Sequence, residues 1–284
     1  MIARYVPEIQ LNDGSSMPAI GLGTWKLAGE SATRVVRDAI NFGYRHIDTA
    51  AFYGNEREIG IAIAQAIAAG DVTREELFIT SKVWQDHQGF DLAQQSFQDS
   101  LQRLGIEYLD CYMVHWPWPQ QGRYVETFEA LVHLQGLGQL RSVAVANFNE
   151  QQLRDVHAAT GVVPAINQVE LHPGFSQSEL RKAHESLGVV TEAWAPLARG
   201  DVLDKDVVVT LAEHFGKTPA QIVLQWMYQQ GISVIPKASQ QHHLAENIDI
   251  YDFELSPIDS AAIVALDQQP GSGRLYADPE VFPG

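Results

Sequence analysis

Short apolar runs rich in β-branched and aromatic residues alternate along the chain with longer segments whose apolar positions recur every three or four residues. The first feature, "EIQLNDGSSMPAI" (8–20), reads as a hairpin turning at Asp13-Gly14. Eight core strands follow: "AIGLGTW", "YRHIDTA", "LFITSKVW", "LDCYMVHW", "LRSVAVANF", "AINQVEL", "VVTEAWAPL" and "ISVIPKA". Between them lie segments with one apolar face, such as "ESATRVVRDAINFG", "NEREIGIAIAQAIAAG", "FDLAQQSFQDSLQRLG" and "TFEALVHLQGLG", the pattern of surface helices. The longest connection, between "WAPL" and "ISVIPKA", contains "KTPAQIVLQWMYQQ", with Thr218 as N-cap and Pro219 at the first helical position.

Alternating strand and helix implies a parallel sheet. Eight units in 284 residues match an α/β fold of the (β/α)8 TIM-barrel type, with the hairpin capping the barrel bottom. A dinucleotide-binding doubly wound sheet needs Gly-x-Gly-x-x-Gly between strand and helix; the "GLG" at Gly21 and at Gly136 lacks the third glycine. No linker or low-complexity tract divides the chain, so one domain over 1–284 is expected.

The composition narrows the function. At 45% hydrophobic residues the chain can bury a large core, and its net charge of −16 argues against nucleic acid and anionic membranes as partners. A phosphate-bearing cofactor then needs a local basic pocket. The opening "MIARYVPEIQLNDG" lacks the apolar core of a signal peptide, and no apolar run is long enough for a membrane span. The single cysteine, Cys111, lies in an apolar run and reads as a buried, inert thiol; a cytoplasmic, reducing compartment is expected.

In such a barrel, polar residues at the C-terminal ends of strands mark the active site. Asp48 ends the second core strand, Lys82 the third, His115 the fourth and Asn147 the fifth. Gln168 lies on the sixth, Trp194 on the seventh and Lys237 at the end of the eighth. Singly, each has a plain alternative: a helix-capping Asp48, a surface Lys82, a hydrogen-bonded core His115. Together, an acid, a phenol (Tyr53), an amine and an imidazole at one rim suggest proton transfer.

The motifs "GLGTWK", "HIDTAAFYGNE", "ITSKVW", "MVHWP", "VANFN", "INQVELHP" and "IPKAS" resemble, in order and over nearly the whole chain, the aldo-keto reductases. Within that family the chain looks most similar to short prokaryotic 2,5-diketo-D-gluconate and methylglyoxal reductases. The resemblance implies reduction of carbonyls to alcohols, with Tyr53 as general acid, Lys82 lowering its pKa, Asp48 orienting Lys82, and His115 holding the carbonyl oxygen.

The resemblance also implies NADP(H), bound in extended form. Its nicotinamide would stack on Trp194, with the carboxamide held by Asn147 and Gln168 above Asp48. Gly23 and Thr24 on the first loop are further candidates. The pyrophosphate would meet the loop carrying Ala195, Leu197, Arg199 and Gly200, although Arg199 reads equally as an exposed, unpaired arginine. The adenosine end would meet Ile235, Lys237, Ala238, Ser239, His243, Glu246 and Asn247. Two positions depart from the common family pattern: Ala146 replaces a serine, and His243 an arginine that pairs with the 2′-phosphate. NADPH is still expected because of Lys237, with NADH tolerated more than in arginine-bearing relatives.

Trp25, Phe52, Trp84 and Trp116, with His115, would line a cleft for small aldehydes, α-dicarbonyls or keto-sugars, and Tyr276 would close one side. The protein is expected to act as a monomer and to need no metal; the His242-His243 pair has no third ligand spaced to join it. Two other readings stay open: a slow, NADP(H)-binding redox sensor, and an aldolase using Lys82 as a Schiff base.

Overall fold

The computed structural model describes residues 6–282. Strands β1 (Glu8–Gln10) and β2 (Ser16–Pro18) pair antiparallel, with Ile9 opposite Met17. The turn forms where expected, the Ser15 N–H donating to Asp13 Oδ1 at 2.9 Å. Parallel strands then follow in chain order around a barrel: β3 (Gly21–Gly23), β4 (His46–Asp48), β5 (Phe78–Val83), β6 (Leu109–Val114), β7 (Leu140–Ala146), β8 (Ile166–Glu170), β9 (Val190–Trp194) and β10 (Ser233–Val234). The barrel closes between β10 and β3. There the Val234 N–H donates to the Ala19 carbonyl at 3.1 Å and the Gly23 N–H to the Pro236 carbonyl at 3.3 Å. A Cβ at Gly23 would lie 2.7 Å from the Ile235 carbonyl oxygen, so this seam requires glycine.

Around the strands lie α1 (Gly29–Phe42), α2 (Glu56–Ala68), α3 (Phe90–Leu104), α4 (Tyr124–Gly136), α5 (Glu150–Thr160), α6 (Ser178–Leu187), α7 (Asp206–Phe215), α8 (Pro219–Tyr228), α9 (Gln241–Asn247) and α10 (Pro257–Val264). Helix α1 shows the logic: Ala32, Val35, Val36, Ala39 and Ile40 form one buried stripe at helical spacing. Thr218 caps α8 in a capping box with Gln221, as the sequence suggests. The β9–β10 connection holds a second helix, α7. Beyond the barrel, Ser256 and Asp259 cap α10 in the same way.

The main core lies between strands and helices. A separate cluster fills the barrel floor, where Leu11 and Met17 of the hairpin pack on Phe78, Cys111, Met113, Ala144, Ala146, Ala165 and Ile166. Burying a side chain such as Met17 contributes about 1.5–3 kcal/mol. Asn12 fixes the plug, its Nδ2 donating to the Pro164 and Gly188 carbonyls at 3.1 and 3.0 Å, just ahead of β8 and β9. The hairpin thus closes the N-terminal end and leaves chemistry to the opposite rim. Among the described residues no helix is long and apolar enough to cross a membrane.

Candidate active site

Side chains two apart on a strand share a face. His46 and Asp48 of β4, Thr80 and Lys82 of β5, Gln168 of β8, Glu192 of β9 and Ser233 of β10 accordingly meet inside the barrel, all buried. Lys82 Nζ donates to Asp48 Oδ2 at 2.6 Å and to the Thr49 carbonyl at 3.0 Å. Burial is the largest single effect and opposes the ammonium, but Asp48, Tyr53 and Glu192 together outweigh it and the net shift of Lys82 is upward. A charged lysine is a poor Schiff-base nucleophile, which argues against the aldolase reading.

Backbone contacts place these groups. The Thr24 N–H and hydroxyl both donate to the Asp48 carbonyl, at 3.1 and 2.9 Å. Thr24 is therefore a buried support for Asp48. The short 3-10 turn Ala51–Tyr53 carries the phenol out of β4. Asn55 pins the end of that loop, donating to the Thr24 and Leu27 carbonyls and accepting from the Thr49 hydroxyl. The stretch "HIDTAAFYGNE" is thus a strand end, a turn bearing the phenol, and the clasp that holds the turn.

Lys82 Nζ lies 5.2 Å from the centre of the Tyr53 ring. Lys82 pulls the Tyr53 phenol down, as the resemblance implies, but burial acts the other way and is the larger effect. Burial pushes Tyr53 up to about 12; the charge and hydrogen bond of Lys82 only partly offset this, because Asp48 acts in the opposite sense. Its ring edge meets His115 with centroids 5.7 Å apart. Burial and Lys82 together hold His115 well below the usual histidine range, so its ring is neutral. His115 Nδ1 is buried without a hydrogen-bond partner among the described residues. A bare lone pair costs less there than an orphaned N–H, which puts the proton on Nε2. This is not the hydrogen-bonded core histidine of the plain alternative.

Four residues lining the mouth, Lys26, Asn147, Ala195 and Arg199, have left-handed backbone (φ 63°, 66°, 49° and 57°). Such strain persists only where neighbours enforce it. At Asn147 they do. The Asn147 N–H donates to the Gln168 carbonyl at 2.9 Å, and Asn167 clamps the next residue by accepting from the Phe148 N–H and donating to its carbonyl. Asn147 Nδ2 donates to the His115 carbonyl at 2.9 Å, and its Oδ1 accepts from the Trp194 indole at 2.9 Å. One side chain thus ties the imidazole's backbone to the Trp194 ring.

A cavity of about 680 Å³ opens above these groups. It gathers Asp48, Tyr53, His115, Asn147, Gln168 and Trp194 with Trp25, Phe52, Trp84 and Trp116. Gly23, Ala195, Leu197, Arg199, Gly200, Ile235, Lys237 and Tyr276 also line it. Thr24, Lys82, Ala238, Ser239, His243, Glu246 and Asn247 do not. The last three lie on α9, with His243 exposed and Asn247 buried. Arg199 is no free arginine: its guanidinium lies 4.2 Å from the Tyr276 ring centre and 5.6 Å from that of Trp25. Phe52 stacks on Trp84 at 3.8 Å.

Sequence reasoning missed His46, Glu192, Ser233 and Phe282. Gln168 Nε2 donates to Asp48 Oδ2 at 2.9 Å and to Glu192 Oε2 at 2.6 Å, and Ser233 Oγ donates to Glu192 Oε1 at 3.0 Å. His46 Nδ1 lies 3.7 Å from Glu192 Oε1 and has no hydrogen-bond partner among the described residues. A Cβ at Gly21 would come within 2.7 Å of that nitrogen, so Gly21 makes room for the imidazole. Burial raises the Glu192 carboxyl above its ordinary range, opposed by hydrogen bonds from Gln168 and Ser233. The signal was a period of two: Glu192 stands two residues before Trp194, and His46 two before Asp48.

Residues 19–268 match the model of the aldo/keto reductase family. An aldo-keto reductase of Mycolicibacterium smegmatis is 46% identical over 276 residues, covering 97% of this chain and 98% of the relative. One of Mycobacterium avium is 43% identical over 279 residues, covering 98% and 95%. Among solved structures, apo Gox0644 superposes with TM-score 0.92 at 41% identity, covering 98% of this chain and 99% of the other. A Bombyx mori aldo-keto reductase in complex with NADP superposes with TM-score 0.88 at 36% identity, covering 94% and 95%. The barrel and its polar rim define an oxidoreductase fold and site. The chain belongs to the aldo/keto reductase family.

Proposed function

We propose that the whole chain acts as one catalytic domain, an NADPH-dependent reductase of small aldehydes, α-dicarbonyls and keto-sugars in which Tyr53 protonates the nascent alcohol. The short prokaryotic diketogluconate and methylglyoxal reductases serve as its functional models. The observation that carries the reading is the buried Lys82–Asp48 pair beneath Tyr53, with neutral His115 beside it.

The residues present fit the cofactor. Asn147 has one amide N–H left after its bond to the His115 carbonyl, and no described group donates to Gln168 Oε1. This donor and acceptor complement a carboxamide beside the Trp194 ring. Lys237 and Arg199 supply positive charge along the same cleft of an acidic chain. A mutant of Gox0644 was solved with NADPH and the Bombyx mori enzyme with NADP, which supports the same choice. When bound, the nicotinamide supplies the hydride.

His115 Nε2–H donates to the carbonyl oxygen and fixes it beside the phenol. As charge develops on that oxygen, Tyr53 delivers its proton. A phenol held near about 12 remains protonated at neutral pH. It is still a far stronger acid than an alcohol, whose acidity is close to that of bulk water, roughly 15.7. Transfer is therefore downhill, and the Lys82 ammonium stabilises the phenolate left behind. The aromatic wall of Trp25, Phe52, Trp84 and Trp116 excludes water from this exchange.

The test is a spectrophotometric scan of NADPH oxidation against a panel of carbonyl compounds. Turnover of several aldehydes or dicarbonyls is the expected result. Tight NADPH binding with no turnover of any of them would overturn the reading in favour of a sensor.

A further inference from the structure

Glu192 is buried in the barrel, does not itself line the cleft and has no part in the proton transfer above. Its oxygens accept from two neighbours, Gln168 and Ser233. It shares Gln168 Nε2 with Asp48, at 2.6 and 2.9 Å. An amide oxygen could not stand so close to two carboxylates. The flip of Gln168 is therefore forced: nitrogen inward, oxygen towards the cleft. Asp48 alone would leave one N–H of that nitrogen free and the side chain tethered at a single point, to an acid that also receives Lys82. Glu192 supplies the second tether, and Ser233 holds Glu192 in turn.

We infer that Glu192 is a positioning residue that pins Gln168 with its oxygen presented to the cleft, so that the site selects a ligand offering an N–H2 donor there. The inference rests on the cofactor reading above, in which that donor is the nicotinamide carboxamide. Protein and ligand then meet as a matched pair, Gln168 Oε1 accepting from the N–H2 and Asn147 Nδ2 donating to the carboxamide oxygen. A pyridine ring bearing an acetyl in place of the carboxamide keeps the oxygen and loses the donor. The other groups that face or feel the charge of Glu192 are His46 and Asp48 from β4, Tyr53 from the turn after it, Lys82 from β5, Cys111 from β6 and Ser233 from β10. Asp48 and Tyr53 also line the cleft, but of the two side chains that donate to Glu192, Gln168 and Ser233, it is Gln168 that reaches it.

The experiment measures dissociation constants of NADP+ and of its 3-acetylpyridine analogue by titration of intrinsic tryptophan fluorescence. Wild type is expected to favour NADP+ clearly. Glu192→Leu should lose about ten-fold in that ratio, the equivalent of one charge-assisted hydrogen bond, chiefly through weaker NADP+ binding. Glu192→Gln can still present an oxygen to Gln168 and should restore the ratio. If the leucine variant does not fold, Glu192→Asp withdraws the carboxylate by one C–C bond, about 1.5 Å, and should lose the ratio likewise. An unchanged ratio in both the leucine and aspartate variants, with wild type discriminating, would overturn the role of Glu192 alone. A wild type that binds both nucleotides equally well would instead remove the carboxamide from Gln168, and the inference with it.

Discussion

Lys82 Nζ and Asp48 Oδ2 lie 2.6 Å apart with both side chains shut away from solvent. Breaking a buried pair leaves one uncompensated charge, at a cost of about 3–5 kcal/mol. Asp48→Asn and Lys82→Met should each lower stability by that order in urea denaturation, and the double variant by clearly less than the sum. Additive losses would show that the two residues are not a unit.

Tyr53→Phe removes the proton donor and little else. Carbonyl reduction should fall by about 10²–10⁴-fold while NADPH affinity stays nearly intact. Wild-type turnover in that variant would reject Tyr53 as the acid.

Acid should destabilise the fold through its buried histidines. Burial pushes His46 and His184 down to about 4, whereas an unfolded histidine titrates near about 6.5. Between these values the unfolded chain holds protons that the folded one does not. Stability is therefore complete above the upper value and drains away as pH falls towards the lower, by up to about 1.4 kcal/mol per pH unit for each group. Urea midpoints measured across this window should fall, and His184→Gln, which still offers Asn167 a partner, should flatten the slope. An unaltered slope would place the lost protons elsewhere.

His243 stands exposed on α9, where a guanidinium would grip a 2′-phosphate in two-pronged fashion. His243→Arg should raise the preference for NADPH over NADH in kcat/KM by about ten-fold, one good charge-assisted contact. No gain would mean that the adenosine end lies away from α9.

The last segment of the chain is strapped across the rim. Glu170 Oε1 accepts from the Leu275 N–H at 2.6 Å, Asn149 Nδ2 donates to Glu280 Oε1, and Gln120 Nε2 donates to the Glu280 carbonyl at 2.6 Å. Just after the first anchor Tyr276 meets Trp194 at 4.9 Å, and two residues past Glu280 Phe282 meets Trp116 at 4.4 Å. Phe282→Ala should raise KM for small aldehydes several-fold with kcat little changed, since it removes packing rather than chemistry. A fall in kcat alone would contradict this.

The barrel was legible because strand and helix periods alternate cleanly, and the rim because Asp48, Lys82, His115 and Asn147 stand where strands end. Glu192 and His46 were not, since they lie one pleat deeper and their partners come from strands far apart in sequence. The net shift of Tyr53 was not legible for a related reason. The charge of Lys82 can be read from a motif, but how strongly burial opposes it depends on packing. Phe282 joins the wall only because anchors at Asn149 and Gln120, more than a hundred residues earlier, draw the tail back.

The ring of Phe282 against Trp116 also decides how the molecule can be handled. A fusion partner or purification handle joined directly to Phe282 would begin beside the reaction cleft and shift its aromatic wall. One joined directly to Val6 would begin by the plugged floor, at the far end of the barrel from Tyr53.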